Sequence, residues 1–209
     1  MILGCGGHAL VCEDLLTACG LRVHGHLSPE GAPSRLKCPR IGSDDMLGRL
    51  PPDQYILVNG IGSTDIPSLR RDVYLRAKST GFSFLTLRHP AAIISGDAVI
   101  REGVQMMAGS IVQAGASLGE NTIVNTGTIV EHDCLVGSHC HLAPRVTLCG
   151  EVRLGDMTHV GPGTVVLQGR SIDSESLIGA MTLVRKDLPA QSRVAGNPAK
   201  SLVAPEKRP

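Results

Sequence analysis

The residues best suited to chemistry lie together near the middle of the chain, at positions 125–133. In this segment His132 is followed directly by Asp133, and Asn125 comes seven residues before His132. A carboxylate beside an imidazole can fix the tautomer of the ring and raise its basicity. The pair therefore favours His132 as a general base, while a solvated surface histidine is the alternative that these residues alone leave open.

The element that must position this pair is a repeat with a period of six residues. Every sixth position holds Ile, Leu, Met or Val: Ile94, Ile100, Met106, Val112, Leu118, Val124, Val130, Val136, Leu142, Leu148, Leu154, Val160, Val166, Ile172, Ile178 and Val184. From Ala98 to Thr182, the fourth residue after each of these is small or β-branched except at Arg170. An α-helix would need a period of 3.6 residues. Three hexads form one triangular coil, so the repeat predicts a left-handed parallel β-helix of about five coils.

The repeat predicts where the histidines and cysteines of this region point. A residue and its neighbour one coil above are eighteen positions apart, so His141 and His159 are expected to stack on one outer face. His132 is the second residue after an apolar position and is expected to point away from the interior. Cys134 takes a small position and is expected to face inward. For His139, a solvated place at a corner is expected.

Residues 1–89 show a different pattern, in which short apolar runs alternate with helical segments, and this pattern predicts a mixed α/β unit. A first strand ends at a turn that contains Gly4, Gly6 and Gly7, and a helix begins at His8. A strand, a glycine-rich turn and a helix N-terminus together form a ready site for an anion such as a phosphate. A tight turn alone explains the glycines equally well.

Two further strands are expected in this unit, at residues 55–59 and 82–87. Between them the pattern predicts a helix that Asp65 caps. The apolar face of that helix is expected to contain Leu69, Val73 and Ala77.

Composition excludes several classes of protein. Lys and Arg total 20 against 19 Asp and Glu, and there are two Tyr, two Phe and no Trp. The chain therefore has neither the positive field nor the stacking platforms that a nucleic-acid partner requires. The seven cysteines contain no C-x-x-C pair, which argues against a disulfide framework or a structural zinc site. With no signal peptide and no membrane-spanning segment in the sequence, a cytoplasmic protein without a membrane partner is expected.

These features together resemble the hexapeptide-repeat acyltransferases, and more narrowly the bacterial sugar acetyltransferases of the sialic acid O-acetyltransferase and bacillosamine N-acetyltransferase type. The resemblance covers nearly the whole chain and rests on the repeat, the glycine-rich turn, residues 125–134, His141 and the closing segment 194–200. It implies a Rossmann-like α/β domain with a small parallel sheet over residues 1–89, a left-handed parallel β-helix over residues 90–188 and a capping tail over residues 189–209.

The resemblance also implies an activity. Such enzymes transfer an acetyl group from acetyl-CoA to the 4-amino group of a UDP-linked 4-amino-4,6-dideoxy sugar. His132 then matches the general base, Asp133 the acid that orients it, and His141 a histidine near the acetyl carbonyl. A homotrimer is implied, with each active site between two chains.

The binding residues implied by the resemblance fall into two groups, and no metal is among the implied cofactors. The residues expected to hold acetyl-CoA are His141, Gly150, Gly196, Pro198 and Lys200. The residues expected to hold the nucleotide sugar are Gly4, Gly6, Gly7, His8, Gly60 and Asn125.

One departure from the family leaves the substrate open. Relatives have paired aspartates after the second strand, where this chain reads Leu27-Ser28-Pro29-Glu30. The alternatives are an O-acetyltransferase of sialic-acid-like sugars, a zinc enzyme similar to the γ-class carbonic anhydrases, and a non-catalytic β-helix scaffold. The zinc alternative requires a histidine pair five residues apart, which the spacings of seven, nine and eighteen residues do not match.

Overall fold

The structure is a computed structural model that describes residues 1–202 of the chain. Residues 203–209, which belong to the tail predicted at 189–209, lie outside the described residues. Two units follow one another along the chain. We name them the N-terminal unit (residues 1–86) and the β-helix (residues 87–201).

The N-terminal unit is a small parallel sheet with two helices, in agreement with the α/β prediction. Its five strands lie in the order β3-β2-β1-β4-β5 and all neighbours run parallel. Its elements are β1 (Ile2–Leu3), α1 (Gly7–Ala18), β2 (His26–Leu27), β3 (Arg40–Gly42), a 3₁₀ helix (Asp44–Gly48), β4 (Ile56–Asn59), α2 (Ser68–Ser79) and β5 (Ser83–Phe84).

The β-helix confirms the architecture predicted from the repeat. Its strands are only two residues long and turn from one face of a triangular prism to the next. The first face contains β7 (Ile93–Ile94), β10 (Ile111–Val112), β13 (Ile129–Val130), β16 (Thr147–Leu148), β19 (Val165–Val166) and β22 (Leu183–Val184). The second face contains β8 (Val99–Ile100), β11 (Ser117–Leu118), β14 (Leu135–Val136), β17 (Arg153–Leu154) and β20 (Ser171–Ile172).

The third face is the longest. It contains β6 (Leu87–Arg88), β9 (Gln105–Met106), β12 (Ile123–Val124), β15 (His141–Leu142), β18 (His159–Val160), β21 (Leu177–Ile178), β23 (Arg193–Ala195) and β24 (Lys200–Ser201). The sequence predicts a domain boundary between residues 89 and 90. The first strand of this face, β6, lies just before that boundary, which stays a prediction. The last strand, β24, runs antiparallel to β23 and closes the face.

Stacked coils keep a register of eighteen residues. Ile111 pairs with Ile129, for example, and His141 pairs with His159. The second residue of each strand faces the interior, which is why the apolar positions of the repeat are buried. The small positions serve the corners: the Oγ1 of Thr128 donates to the carbonyl of Ala143 at 2.9 Å. Small polar residues such as Thr122, Thr128 and Thr164 are therefore accommodated inside because each of them donates to a carbonyl that the turn directs inward.

The helix α2 differs from its prediction at both its start and its buried face. Pro67 takes the N-cap position, and the carboxylate of Asp65 instead accepts a hydrogen bond from the backbone N–H of Ile66. Leu69 is 66% exposed, while Arg70 is completely buried. The helix is rotated because Arg70 has hydrogen-bond partners in the interior that an apolar side chain could not satisfy.

Arg70 ties the N-terminal unit to the β-helix. Its Nη1 donates to the carbonyls of Asn59 at 2.9 Å and Ile61 at 2.7 Å, beyond the end of β4. Its Nε donates to the carbonyl of Asn121, in a corner of the β-helix, at 2.9 Å. Burial lowers the pKa of Arg70 to about 9, so the side chain remains charged at neutral pH.

We predict that Arg70→Ala destabilises the chain by about 3 kcal/mol or more. The carbonyls of Ile61 and Asn121 lose their side-chain donor, and the carbonyl of Asn59 keeps only Gln105. The free energy of unfolding in urea measures the effect. The matched control is Arg71→Ala in the same helix, since Arg71 is partly exposed and contacts its neighbour Asp72. Its unfolding free energy should stay within about 0.5 kcal/mol of the parent. Equal unfolding free energies for the two variants would contradict this assignment.

Candidate active site

A cavity of about 690 Å³ opens where the N-terminal unit meets the third face of the β-helix. Its lining comprises Gly4, Gly6, Gly7, His8, Val11, Gly60, Ile61, Gly62, Ser63, Thr64, Asn125, Thr126, His141 and Pro144. All the residues that the sequence assigns to the nucleotide sugar are thus brought together, and His141 joins them. Their roles stay predictions.

The local backbone explains why glycine occupies several positions of the cavity. Gly4 has φ +92°, a conformation that residues with a Cβ rarely adopt. At Gly60 a Cβ would lie 2.7 Å from the Cβ of Ala9, so only glycine lets β4 approach α1. The helix α1 begins at Gly7 beside the cavity, and its first N–H groups carry the partial positive charge that favours an anion.

His8 is held in one tautomer by its partner on the β-helix. Gln105 donates from Nε2 to the carbonyl of Asn59 at 2.8 Å, so its Oε1 must accept from the Nε2 of His8, at 2.7 Å. Burial lowers the pKa of His8 to about 4, and the charge of Arg70 adds to that shift. At neutral pH the uncharged ring therefore keeps Nδ1 as an acceptor for a hydroxyl or amine donor.

His141 lies deep in the cavity wall, on the third face. Its Nδ1 is 2.9 Å from the Oγ of Ser63, and its Nε2 is 3.1 Å from the Nδ2 of Asn125. Burial lowers the pKa of His141 strongly, and the charges of His159, His8 and Arg70 act in the same direction. The ring stacked above it, His159, is 5.0 Å away between ring centroids, as the register of the repeat predicts.

Ser63 is a polar cavity residue that sequence analysis did not single out. It belongs to a loop that follows β4 and lies at the carboxyl end of the parallel sheet. The signal available in the sequence was Gly60-Ile61-Gly62 directly after a strand, since glycine turns at such strand ends frequently line ligand sites.

His132 and Asp133 form an exposed pair. The Nδ1 of His132 is 2.9 Å from the Oδ2 of Asp133, and the His132 side chain is 53% exposed. The pKa of His132 is raised, chiefly by the hydrogen bond with Asp133. Asp133 has φ +57°, a backbone conformation that aspartate tolerates better than most residues. The local fold therefore needs this turn residue, and the same residue orients the imidazole.

Gly150 makes room for the imidazole of His132. It lies one coil above, and a Cβ there would be 2.5 Å from the Nε2 of His132. Any larger residue would push the ring aside. This contact gives Gly150 a structural reason in addition to the CoA contact that was predicted, which stays a prediction.

The pair and the cavity occupy different corners of the prism. His132 follows β13 and precedes β14, so it lies where the first face meets the second. Asn125 and Pro144 line the cavity where the third face meets the first. The cavity lining contains neither His132 nor Asp133. One chain therefore carries the His132–Asp133 pair and the cavity on two different edges.

Comparison with solved structures identifies the family. The acetyltransferase domain of PglB from Neisseria gonorrhoeae FA1090 is 34% identical, with 96% of this chain and 98% of that chain covered and a TM-score of 0.91. A mutant of GDP-perosamine N-acetyltransferase from Caulobacter crescentus, solved with CoA and GDP-perosamine, is also 34% identical, with 97% and 96% covered and a TM-score of 0.91. The chain belongs to the hexapeptide-repeat sugar acetyltransferases. No family model matches it.

Curated relatives match this chain over about half of its length. The acyl-(acyl-carrier-protein)-UDP-N-acetylglucosamine O-acyltransferase of Pseudomonas entomophila is 33% identical over 114 residues, which are 54% of this chain and 44% of the relative. The chain thus spans less than half the length of the curated relatives that it matches. The PglB domain has also been solved with acetyl coenzyme A bound.

The three tail residues assigned to CoA lie at the far end of this acetyltransferase's β-helix. Gly196, with φ +98°, ends β23, and Lys200 begins β24. Pro198 lines a small cavity of about 220 Å³ together with Arg185 and Lys186. Their assignment stays a prediction.

His139 corrects one expectation. The sequence suggests a solvated corner residue, but its side chain is buried, and its Nδ1 accepts from the Nδ2 of Asn121 at 3.0 Å. The reason is the helix α2, whose Tyr74 packs against the imidazole at 5.4 Å between ring centroids.

Within residues 1–202, no group of three His, Cys, Asp or Glu side chains is arranged to hold a metal ion. The helices described there, α1 and α2, lack the length and apolarity needed to cross a bilayer.

We predict that Asp133→Asn lowers the pKa of His132 toward the ordinary histidine value, because the carboxylate that stabilises the imidazolium is replaced by a neutral amide. An NMR titration of the His132 ring measures the change. Glu131→Gln is the control, since Glu131 raises the same pKa only as a lesser, through-space influence. A pKa of His132 that is the same in Asp133→Asn as in the parent would refute the role of Asp133.

Proposed function

We propose that this chain is an N-acetyltransferase that transfers the acetyl group of acetyl-CoA to the 4-amino group of a nucleotide-linked amino-deoxy sugar. The observation that carries the proposal is its likeness, over almost its whole length, to a GDP-perosamine N-acetyltransferase solved with CoA and GDP-perosamine. A UDP-linked 4-amino-4,6-dideoxy sugar is the substrate we expect first, and the reaction is expected in the cytoplasm.

The proposed mechanism is direct transfer. The neutral amine of the sugar attacks the thioester carbon, and the Nε2 of His132 accepts the proton that the nitrogen loses. The tetrahedral intermediate collapses, the carbon–sulfur bond breaks and CoA leaves as a thiolate that takes up a proton. The raised pKa of His132 suits it to this task, because a stronger base accepts the proton more readily.

The N-terminal unit would hold the nucleotide sugar. The diphosphate is placed at the N-terminus of α1, where the backbone of Gly6 and Gly7 leaves space and N–H groups are available. The acceptor nitrogen of His8 would receive a hydrogen bond from a sugar hydroxyl or amine. Acetyl-CoA would follow the corner from His132 past Gly150 toward Gly196, Pro198 and Lys200.

A homotrimer would complete the site. The His132 corner of one copy and the cavity of the next must meet, because a single chain holds them on different edges. The outer side of the first face lies between these edges and carries a column that is apolar except at Thr147. Its apolar members are Ile93, Ile111, Ile129, Val165 and Leu183. Ile93 is 65% exposed. An exposed apolar column of this kind is typical of a surface that packs against another chain.

We predict that the parent protein releases CoA thiol from acetyl-CoA when given UDP-, GDP- or dTDP-linked 4-amino sugars, and that His132→Ala lowers kcat by about 10²–10⁴-fold. A thiol-reactive dye follows the reaction, and mass spectrometry of the product shows the N-acetyl group. His24→Ala, which alters an exposed histidine of the N-terminal unit, is the control and should retain full activity. Turnover of free sialic acid but of no nucleotide amino sugar would contradict the proposal.

We predict that two inactive variants restore each other when mixed. His132→Ala removes the base, and Gly6→Trp blocks the cavity, since a side chain at Gly6 meets no protein atom within 4 Å of its Cβ. After subunit exchange at equal amounts, roughly a quarter of the sites should combine an intact corner with an intact neighbouring cavity. Activity that stays at the level of the separate variants, despite exchange shown by native mass spectrometry, would place the whole site within one chain.

A further inference from the structure

Ser63 lies between two stacked histidines for which the mechanism above has no role. Its Oγ is 2.9 Å from the Nδ1 of His141 and 3.0 Å from the Nδ1 of His159. The two rings are nearly perpendicular, at 82°. A hydroxyl has a single hydrogen, so it donates to one of these nitrogens and accepts from the other.

The direction of these hydrogen bonds follows from Asn125. Its Oδ1 accepts from the backbone N–H of Thr126 at 2.8 Å, which leaves its Nδ2 as the group that faces His141. An amide nitrogen only donates, so the Nε2 of His141 must be the acceptor. In a neutral His141 the proton therefore resides on Nδ1.

The series of hydrogen bonds then continues in one direction. The Nδ1–H of His141 donates to the Oγ of Ser63, and the hydroxyl of Ser63 donates to the Nδ1 of His159. His159 is left with its proton on Nε2. Asn125, His141 and Ser63 each have one donor and one acceptor engaged, and His159 closes the series with Nδ1 as an acceptor. Reversing any one link would therefore leave two donors or two acceptors facing each other.

The surroundings keep both rings uncharged at neutral pH. Burial lowers the pKa of His159, which the nearby carboxylate of Asp65 opposes, and that carboxylate is itself 3.3 Å from Arg193. The pKa of His141 is lowered chiefly by burial, and the charge of Arg70, together with any charge that forms on His159 or His8, lowers it further. A protonated ring at either position would also break the donor and acceptor order just described.

We propose that Ser63 and His159 are positioning residues that hold His141 in its Nδ1–H tautomer, so that Asn125 presents its second amide hydrogen to the ligand in the cavity. Asn125 carries two hydrogens on Nδ2 and uses one on His141. The Nε2 of His141 can only accept in this tautomer and cannot itself donate to an acetyl carbonyl. The donor that faces the developing oxyanion is then the Asn125 amide, an inference that rests on the proposed function.

The test reads the tautomer directly, by NMR of the apo protein labelled with ¹⁵N-histidine. In the parent, the expected result for His141 is a protonated Nδ1 and an unprotonated Nε2. Ser63→Ala should give a mixture of tautomers, because the acceptor that Nδ1–H requires is gone. Ser63→Thr keeps the hydroxyl and should keep the parent pattern. A protonated Nε2 of His141 in the parent, or an unchanged tautomer in Ser63→Ala, would overturn the proposal.

His159 provides an independent pair of variants. His159→Leu removes the acceptor for the hydroxyl of Ser63 and should also release the tautomer of His141, whereas His159→Gln offers an amide oxygen and should preserve it. Thermal unfolding of each variant shows that the fold is intact. A parent-like spectrum in folded His159→Leu would show that His159 takes no part in this series of hydrogen bonds.

Activity gives the second readout. Ser63→Ala should lower kcat about tenfold with little change in KM, as expected when a hydrogen bond worth about 1.4 kcal/mol is lost in the transition state only. Ser63→Thr should restore kcat. Equal kcat values in parent and Ser63→Ala would overturn the link to the oxyanion. A parent without acetyltransferase activity would refute the proposed function, and the tautomer measurement would still decide the positioning role.

Discussion

The backbone hydrogen bonds between successive coils, which hold paired residues eighteen positions apart, are the constraint on which the rest of this structure depends. They stack the coils so that side chains at equivalent positions of successive coils lie directly above one another, at a fixed spacing along the axis. His132 gains its space from Gly150 in this way, and His141 gains its ring neighbour, His159. The same bonds satisfy nearly all the backbone of two-residue strands that would be unstable alone.

The second determinant is the docking of the N-terminal unit on the third face. Outward-facing side chains of a β-helix are normally exposed to solvent. On the third face the N-terminal unit covers them, so their buried polar atoms need hydrogen-bond partners within the protein. Gln105 meets His8, His141 meets Ser63, and Arg70 reaches across the junction from α2. In the hydrogen-bond order proposed above, each imidazole of the cavity is held in a single tautomer before any ligand enters.

Sequence periodicity predicted the β-helix, the inward place of Cys134 and the outward place of His132, because a six-residue period specifies which residues face inward. It could not predict what covers an outward face. His139 was therefore taken for a solvated residue although Tyr74 covers it, and Leu69 for a buried residue although Arg70 takes that place. Ser63 escaped notice for a related reason, since its partners are 78 and 96 residues away along the chain.

The eighteen-residue register also limits how chains of this design can change in length. Inserting a whole coil moves all later residues one step along the axis and leaves them on the same face. Inserting a single hexad keeps the apolar positions inside but rotates everything that follows by one face, so an insertion between His141 and His159 would separate the two rings. Insertions can therefore lengthen the β-helix only by complete coils if its side chains are to stay on their faces. The loops of the N-terminal unit have no such restriction and can change by any number of residues.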